Sequence, residues 1–347
     1  MGKPIRATLP RKRLVLFATA ASAGTLALCL ISLLLLDLWA HRKFEQSAGL
    51  NRWGYRGPIV GRKAGGEYRA VALGPSTVFG YGVVWSDAFP AQLEQKLRAA
   101  DTSRSHSVVN LGYNNEGAYS YRFTLRDFAY LKPDLAILYA GYSDIFGLNT
   151  NMIRRESLVF RLTGYFPLLP IVAREKIMAL RYGGDLEAAY RAKNAGAVPI
   201  VFRPKSAGAS AEGAPQETVS LESRPDINDP EHRKRAAAQY HDVMIQAVAA
   251  AREQGMSVLV VGQPLSGDAH AEEQRKLQEA LHDRFGQTPA VAYIDLSRAV
   301  DMQNRALTFD GLHLTASGNS LVADHLLQPV LSMARRGGPG GRASDPR

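Results

Sequence analysis

Apolar runs alternate with amphipathic stretches along most of the 347 residues. Five short runs are apolar almost throughout: RAVALG (69–74), SVVNLG (107–112), LAILYAG (135–141), MSVLVVG (256–262) and AVAYIDL (290–296). Such near-continuous apolar content predicts strands covered on both faces, as in a parallel sheet. Helical patterns stand between them, near 87–100, 119–131, 231–254 and 270–285, and a last one runs from about Thr315 to 333. Pro133 stops the second of these helices and Gly255 caps the third. The alternation predicts an α/β fold, a parallel sheet with helices on both faces.

Four stretches depart from this rhythm. Leu14 to Leu36 is 23 residues without a formal charge, and about 20 suffice to cross a bilayer core of about 30 Å. A cleaved signal peptide shares the Arg-rich flank, but its apolar part spans about 7–15 residues and ends at an A-x-A site. This run is longer than that and no A-x-A site follows it, and the LALC ending at Cys29 has Leu28 where a lipoprotein box needs a small residue. The expectation is an uncleaved transmembrane helix over 14–36 after a basic tail over 1–13. Residues 37–68, polar and Gly-rich, read as a linker that wraps onto a domain over 69–333. Residues 145–230 read as an insertion between the third and fourth strands, its first half apolar and aromatic, its second rich in Pro, Ala, Ser, Gly and Glu. It is either extra helices packed on the sheet, or a lid or a surface that touches lipid or an acyl chain. The tail 334–347 has a disordered composition.

The net charge of +10 is concentrated at the ends. Lys3, Arg6, Arg11, Lys12 and Arg13 precede the apolar span, and Arg335, Arg336, Arg342 and Arg347 sit in the tail with Asp345. The body between is nearly neutral, so no basic stripe remains for nucleic acid. Cations before the span exceed those just after it, Arg42 and Lys43 with Glu45, which favours the N-terminus inside and the rest of the chain outside the cytoplasm. Cys29 is the only cysteine, so disulfides within the chain and cysteine metal sites are excluded. The histidines other than His313 show no metal-ligand spacing with carboxylates, and no metal or other cofactor is expected. No G-x-G-x-x-G or G-K-[ST] follows the first strand, which speaks against nucleotide binding.

Polar clusters follow the strands. The first passes into Gly74-Pro75-Ser76, the second into Gly112 and YNNEG, the third into Gly141-Tyr142-Ser143-Asp144, and the fifth leads on to FDGLHLTASGN with Asp310 and His313. Ligands of open parallel sheets bind beyond the carboxyl ends of the strands, so these clusters can converge on one crevice. A serine hydroxyl needs an adjacent base, usually histidine oriented by a carboxylate. Ser76 is the candidate nucleophile, His313 the base and Asp310 its carboxylate partner. Backbone N–H groups of Ser76 and Gly112, with the Ser143 hydroxyl, are candidates for an oxyanion hole. Asn114 and Asn115 are alternatives to Ser143, and Asp144 is expected to be structural.

These residues resemble the SGNH/GDSL hydrolase superfamily. The G-D-S turn corresponds to Gly74-Pro75-Ser76, with proline for aspartate. The glycine of the second block corresponds to Gly112. The G-x-N-D block corresponds to Gly141-Tyr142-Ser143-Asp144, with serine for asparagine, and D-x-x-H to Asp310-Gly311-Leu312-His313. The resemblance implies a flavodoxin-like, doubly wound sheet of five parallel strands and a membrane-anchored ester hydrolase. Its substrate would be an acyl or O-acetyl ester on a glycan or lipid. The alternatives are an O-acyltransferase using the same three residues and a catalytically weak binding or scaffold protein of the cell envelope.

Overall fold

The computed structural model describes residues 10–141, 144, 148–181, 183–184, 230–264 and 268–336. All five apolar runs are strands: β1 (Tyr68–Leu73), β2 (His106–Asn110), β3 (Leu135–Ala140), β4 (Ser257–Gly262) and β5 (Val291–Asp295). They pair in parallel in the order β2-β1-β3-β4-β5. This is the flavodoxin-like doubly wound order, whose switch point lies between β1 and β3.

The described helices are α1 (Arg11–Ala48), α2 (Ser76–Phe79), α3 (Phe89–Ala100), α4 (Tyr121–Asp127), α5 (Ile153–Glu156), α6 (Leu158–Thr163), α7 (Leu169–Arg181), α8 (Pro230–Glu253), α9 (Asp268–Phe285) and α10 (Ala316–Arg336). Alternate residues of each strand supply opposite faces. Val71 and Leu73 of β1 join a core with Tyr121 and Leu125 of α4 and Tyr240, Met244 and Val248 of α8. Ala70 and Ala72 join the other, with Phe89, Leu93 and Leu97 of α3 and Val322, Leu326 and Val330 of α10. Full burial of a large apolar side chain contributes about 1.5–3 kcal/mol, so these two layers supply much of the stability.

Two elements differ from the pattern reading. The helix expected over 119–131 is broken into α4 and two flanking 3₁₀ turns, Ala118–Ser120 and Ala129–Leu131. Pro133 disfavours right-handed helix at the residue before it, and Lys132 takes φ 51°. The N-terminal helix does not end with the apolar span. Its 38 residues reach roughly 57 Å at 1.5 Å per residue. The following segment is folded onto the domain: Leu50 bridges Arg56, Arg56 bridges Asn110, and Asn51 and Tyr55 are buried. In the stretch read as an insertion, the described part forms α5, α6 and α7.

Candidate active site

Strand β1 ends against a turn that leaves no room for side chains. A Cβ on Gly74 would lie 2.1 Å from Val78 Cγ2 and 2.7 Å from the Tyr139 carbonyl oxygen. Pro75 is the residue before α2, in extended conformation, and Ser76 opens the helix. Proline suits position 75 because the site asks for extended backbone, and proline's fixed φ supplies it. Gly80 closes α2 in the left-handed region, φ 79°.

Two polar side chains brace this turn from elsewhere in the chain. Asn110, the last residue of β2, donates from Nδ2 to the Val78 carbonyl at 2.8 Å. Arg56 donates to the carbonyls of Phe79, Gly80 (2.8 Å) and Val83 (2.5 Å). Its guanidinium also stacks 4.1 Å from the Phe79 ring centroid. Burial pulls Arg56 down to about 9, which still leaves it charged at neutral pH. Nothing in NRWGYRGP marks Arg56 as a brace. Only an arginine at the edge of a Gly-rich segment could have hinted at it.

The other half of the site is a short loop before α10. Phe309 N–H donates to the His313 carbonyl at 2.9 Å, and Thr308 pairs with Leu314. Within this hairpin Asp310 Oδ1 accepts from the backbone N–H of Leu312 (3.0 Å) and His313 (2.7 Å). Asp310 Oδ2 lies 2.7 Å from His313 Nδ1. His313 Nε2 lies 2.9 Å from Ser76 Oγ. Nδ1–H facing the carboxylate leaves Nε2 as the acceptor toward the serine hydroxyl. Partial burial pushes the Asp310 carboxyl up, but the hydrogen bond and charge of His313 and the two backbone donors outweigh it, bringing it down to about 2. The Tyr81 ring packs on the imidazole, centroids 4.5 Å apart. Phe309, 47% exposed, lies over Gly82 beside it.

Ser76, His313 and Asp310 therefore stand in one hydrogen-bonded row. The other candidates divide. Gly112 sits against α2, where a Cβ would come 2.7 Å from Phe79 N, and its N–H donates to Asn110 Oδ1 at 3.0 Å. An oxyanion at that amide has to share it with Asn110. Ser143 lies outside the described residues. Asn114 is buried, its Oδ1 without a hydrogen-bond partner among the described residues, whereas Asn115 is exposed at φ 58°. Asn115 O accepts from the side-chain amides of Asn149 and Asn151. Asp144 is buried and accepts from the N–H of Ala118 (3.0 Å) and Asn149 (3.4 Å). It ties the turn after β3 to the loop after β2. Among the described residues no cluster of histidine, cysteine or carboxylates has the arrangement of a metal site.

A second buried arginine, also unmarked in the sequence, holds that loop. Arg154 of α5 donates to the carbonyls of Leu111 (2.6 Å) and Gly112 (3.1 Å) and pairs with Glu116 at 3.4 Å. One further hydrogen bond joins α2 to the far side of the sheet: Gln263, just after β4, donates from Nε2 to Thr77 Oγ1 at 3.1 Å.

No family model matches the chain. No curated protein matches it. Solved structures do. Its neighbours include G-D-S-L lipolytic proteins and carbohydrate esterases. A family 3 carbohydrate esterase of Clostridium thermocellum is 12% identical with a TM-score of 0.43, over 78% of this chain and 98% of that one. An alpha/beta hydrolase enzyme from the metagenome of Lake Arreo is 13% identical with a TM-score of 0.44, over 78% and 96%. A member of the lipolytic protein G-D-S-L family from Veillonella parvula is 11% identical with a TM-score of 0.41, over 75% and 97%.

Proposed function

We propose that the chain is a serine ester hydrolase held at the membrane by α1, with its domain outside the cytoplasm. One observation carries the reading: a hydroxyl, an imidazole and a carboxylate, the first two 237 residues apart, form a continuous row with contacts of 2.9 and 2.7 Å. Nucleophile and base act at about 2.6–3.2 Å. Ser76 Oγ attacks the ester carbonyl carbon while His313 Nε2 takes its proton. His313 returns that proton to the leaving alkoxide as the C–O bond breaks, and an acyl group remains on Ser76. Water, deprotonated by the same nitrogen, then releases the acid and restores the hydroxyl. Asp310 keeps the imidazole in the tautomer that this shuttle needs and stabilises the imidazolium. The Ser76 N–H, first in α2, and the Gly112 N–H are the proposed oxyanion donors, with Ser143 as a third.

The membrane part of the proposal rests on α1, long and apolar enough to cross a bilayer by length and composition, and on the cations that precede its apolar span. The ester substrate is an acyl or O-acetyl ester of a glycan or lipid. A fluorophosphonate probe tests the chemistry directly. Purified protein is expected to be labelled on the peptide carrying Ser76, and Ser76→Ala to be unlabelled. Wild-type protein that takes up no probe and hydrolyses no short acyl ester overturns the reading in favour of a binding or scaffold role. A reporter fused after residue 50 should be active only outside the cytoplasm.

A further inference from the structure

The anchor helix is locked to the catalytic domain by a buried carboxylate. Asp37, 4% exposed, follows directly on the apolar span. Its Oδ1 accepts the N–H groups of Leu168 (2.9 Å) and Leu169 (2.6 Å), where α7 begins. Its Oδ2 accepts the Tyr165 hydroxyl. One helix thus supplies the capping anion for another, satisfying donors that α7 cannot pair internally. Around this contact Ala40 and Leu168 are fully covered, with Leu169 and Val172 packed on them. His41 Nε2 meets the Phe166 carbonyl at 2.9 Å.

The contact fixes a height. Trp39 is 52% exposed with Lys43 Nζ 4.8 Å from its ring. A tryptophan and a lysine at the end of an apolar span belong at the membrane–water boundary. Asp37 and Ala40 flank Trp39, so the start of α7 lies at that same level. From there α6 and α7 present an apolar face to solvent: Leu158 (62% exposed), Val159 (46%), Leu162 (75%), Ile177 (52%) and Leu180 (79%). Apart from α1 itself, the exposed large hydrophobic residues among the described residues are these five with Ile59, Tyr130 and Phe309. The two helices also carry Arg161, Arg174, Lys176 and Arg181 against one carboxylate, Glu175. Apolar side chains interleaved with cations suit an anionic bilayer surface.

We propose that α6 and α7 lie in the headgroup layer of the membrane that α1 crosses, and that Asp37 holds the domain rigidly in that pose. The inference rests on the reading of α1 as a membrane span, and goes beyond a tether by fixing the orientation of the domain. The ester site is then presented at one height and angle to the membrane.

The test uses the full chain with Cys29→Ala, reconstituted in phosphatidylethanolamine–phosphatidylglycerol vesicles. A fluorophore is attached through Leu30→Cys, Leu162→Cys, Leu180→Cys or Ser103→Cys, the last in an exposed turn. Acyl chains brominated at different depths then quench the label. Labels at 162 and 180 are expected to be quenched best by shallow bromine, consistent with an apolar face about 5–10 Å into the headgroup boundary, and the label at 30 by deep bromine. The label at 103 should be unaffected. Adding Asp37→Ala should remove most quenching at 162 and 180 and leave 30 unchanged; Asp37→Asn, which keeps an acceptor oxygen for the two amides, should retain it. No quenching at 162 and 180 while 30 is quenched overturns the inference and leaves the anchor standing. Absence of quenching at 30 overturns the anchor instead. Labels at 162 and 180 shielded from both bromine and aqueous iodide would mean a protein partner covers this face, which also overturns the inference. Quenching at 162 that survives Asp37→Ala rejects the clamp.

Discussion

The two halves of the candidate site are built in opposite ways. The loop carrying Asp310 and His313 supports itself, since apart from the His313–Ser76 contact its bonds run between residues no more than nine apart. The turn carrying Ser76 is held from far away, by Asn110 across 32 residues, Arg56 across 23 to 27 and, through Thr77, Gln263 across 186. The difference shows where precision comes from. A histidine and its carboxylate three residues apart find each other locally. A hydroxyl that must meet them from the other end of the chain depends on the whole sheet.

Substitutions can break this comparison at several strengths. The largest effect belongs to Ser76→Ala, expected to lower ester hydrolysis about 10⁴-fold or more, as loss of a nucleophile does where the remaining residues act as a unit. The measurement is kcat against a short acyl ester. Asp310→Asn follows, with a loss of about 10²–10⁴-fold in kcat and little change in KM, since the carboxylate sets the histidine tautomer. Tm should fall as well, by the stability that the ionised carboxylate contributes, and that difference from the wild type should shrink as pH falls below about 4.

Arg56→Met acts first on the fold and only through it on the reaction. Three carbonyls lose their donor in a buried place, at about 1–3 kcal/mol for an unsatisfied group. A drop of several degrees in Tm should accompany a partial loss of kcat. If Arg56→Met leaves Tm unchanged, the turn does not depend on its remote brace.

A further effect is electrostatic, and in it Asp310 and Asp144, at the turn after β3, act with opposite sign. Burial raises Asp144 to about 7, against the lowering effect of the Ala118 and Asn149 amides. An unfolded aspartate titrates near 3.9. Between those values the folded chain holds a proton that the unfolded chain has lost, so stability falls as pH rises from about 4 to about 7, by at most about 1.4 kcal/mol per pH unit. Asp310 is lowered to about 2, so its contribution is present above about pH 4 and disappears as pH falls toward 2. Thermal melts of Asp144→Asn across pH 4–8 should lack the decline seen in the wild type. Asp310→Asn should retain it.

Legibility followed the same division. The five strands, their parallel class and most helices were readable, because a strand covered on both faces must be apolar throughout and a helix covered on one face cannot be. Ser76, His313 and Asp310 were readable as residue types at strand ends. The braces were not. Arg56 lay in a segment that read as a linker, and Arg154 in one that read as an insertion. A buried arginine serving carbonyl oxygens has no sequence signature, since its partners are main-chain atoms that every residue possesses. The hydrogen bond from the Gly112 amide to Asn110 is equally silent in the sequence.

By itself, then, the sequence determined periodicity, the apolar span and a local acid–base pair, all properties of neighbours along the chain. Tertiary structure alone decided that Ser76 stands 2.9 Å from His313, that two guanidiniums hold the turns around it, and that Asp37 joins α1 to α7. Contacts of that kind depend on how a twisted sheet brings distant segments together, and no local pattern encodes which donor will find which acceptor.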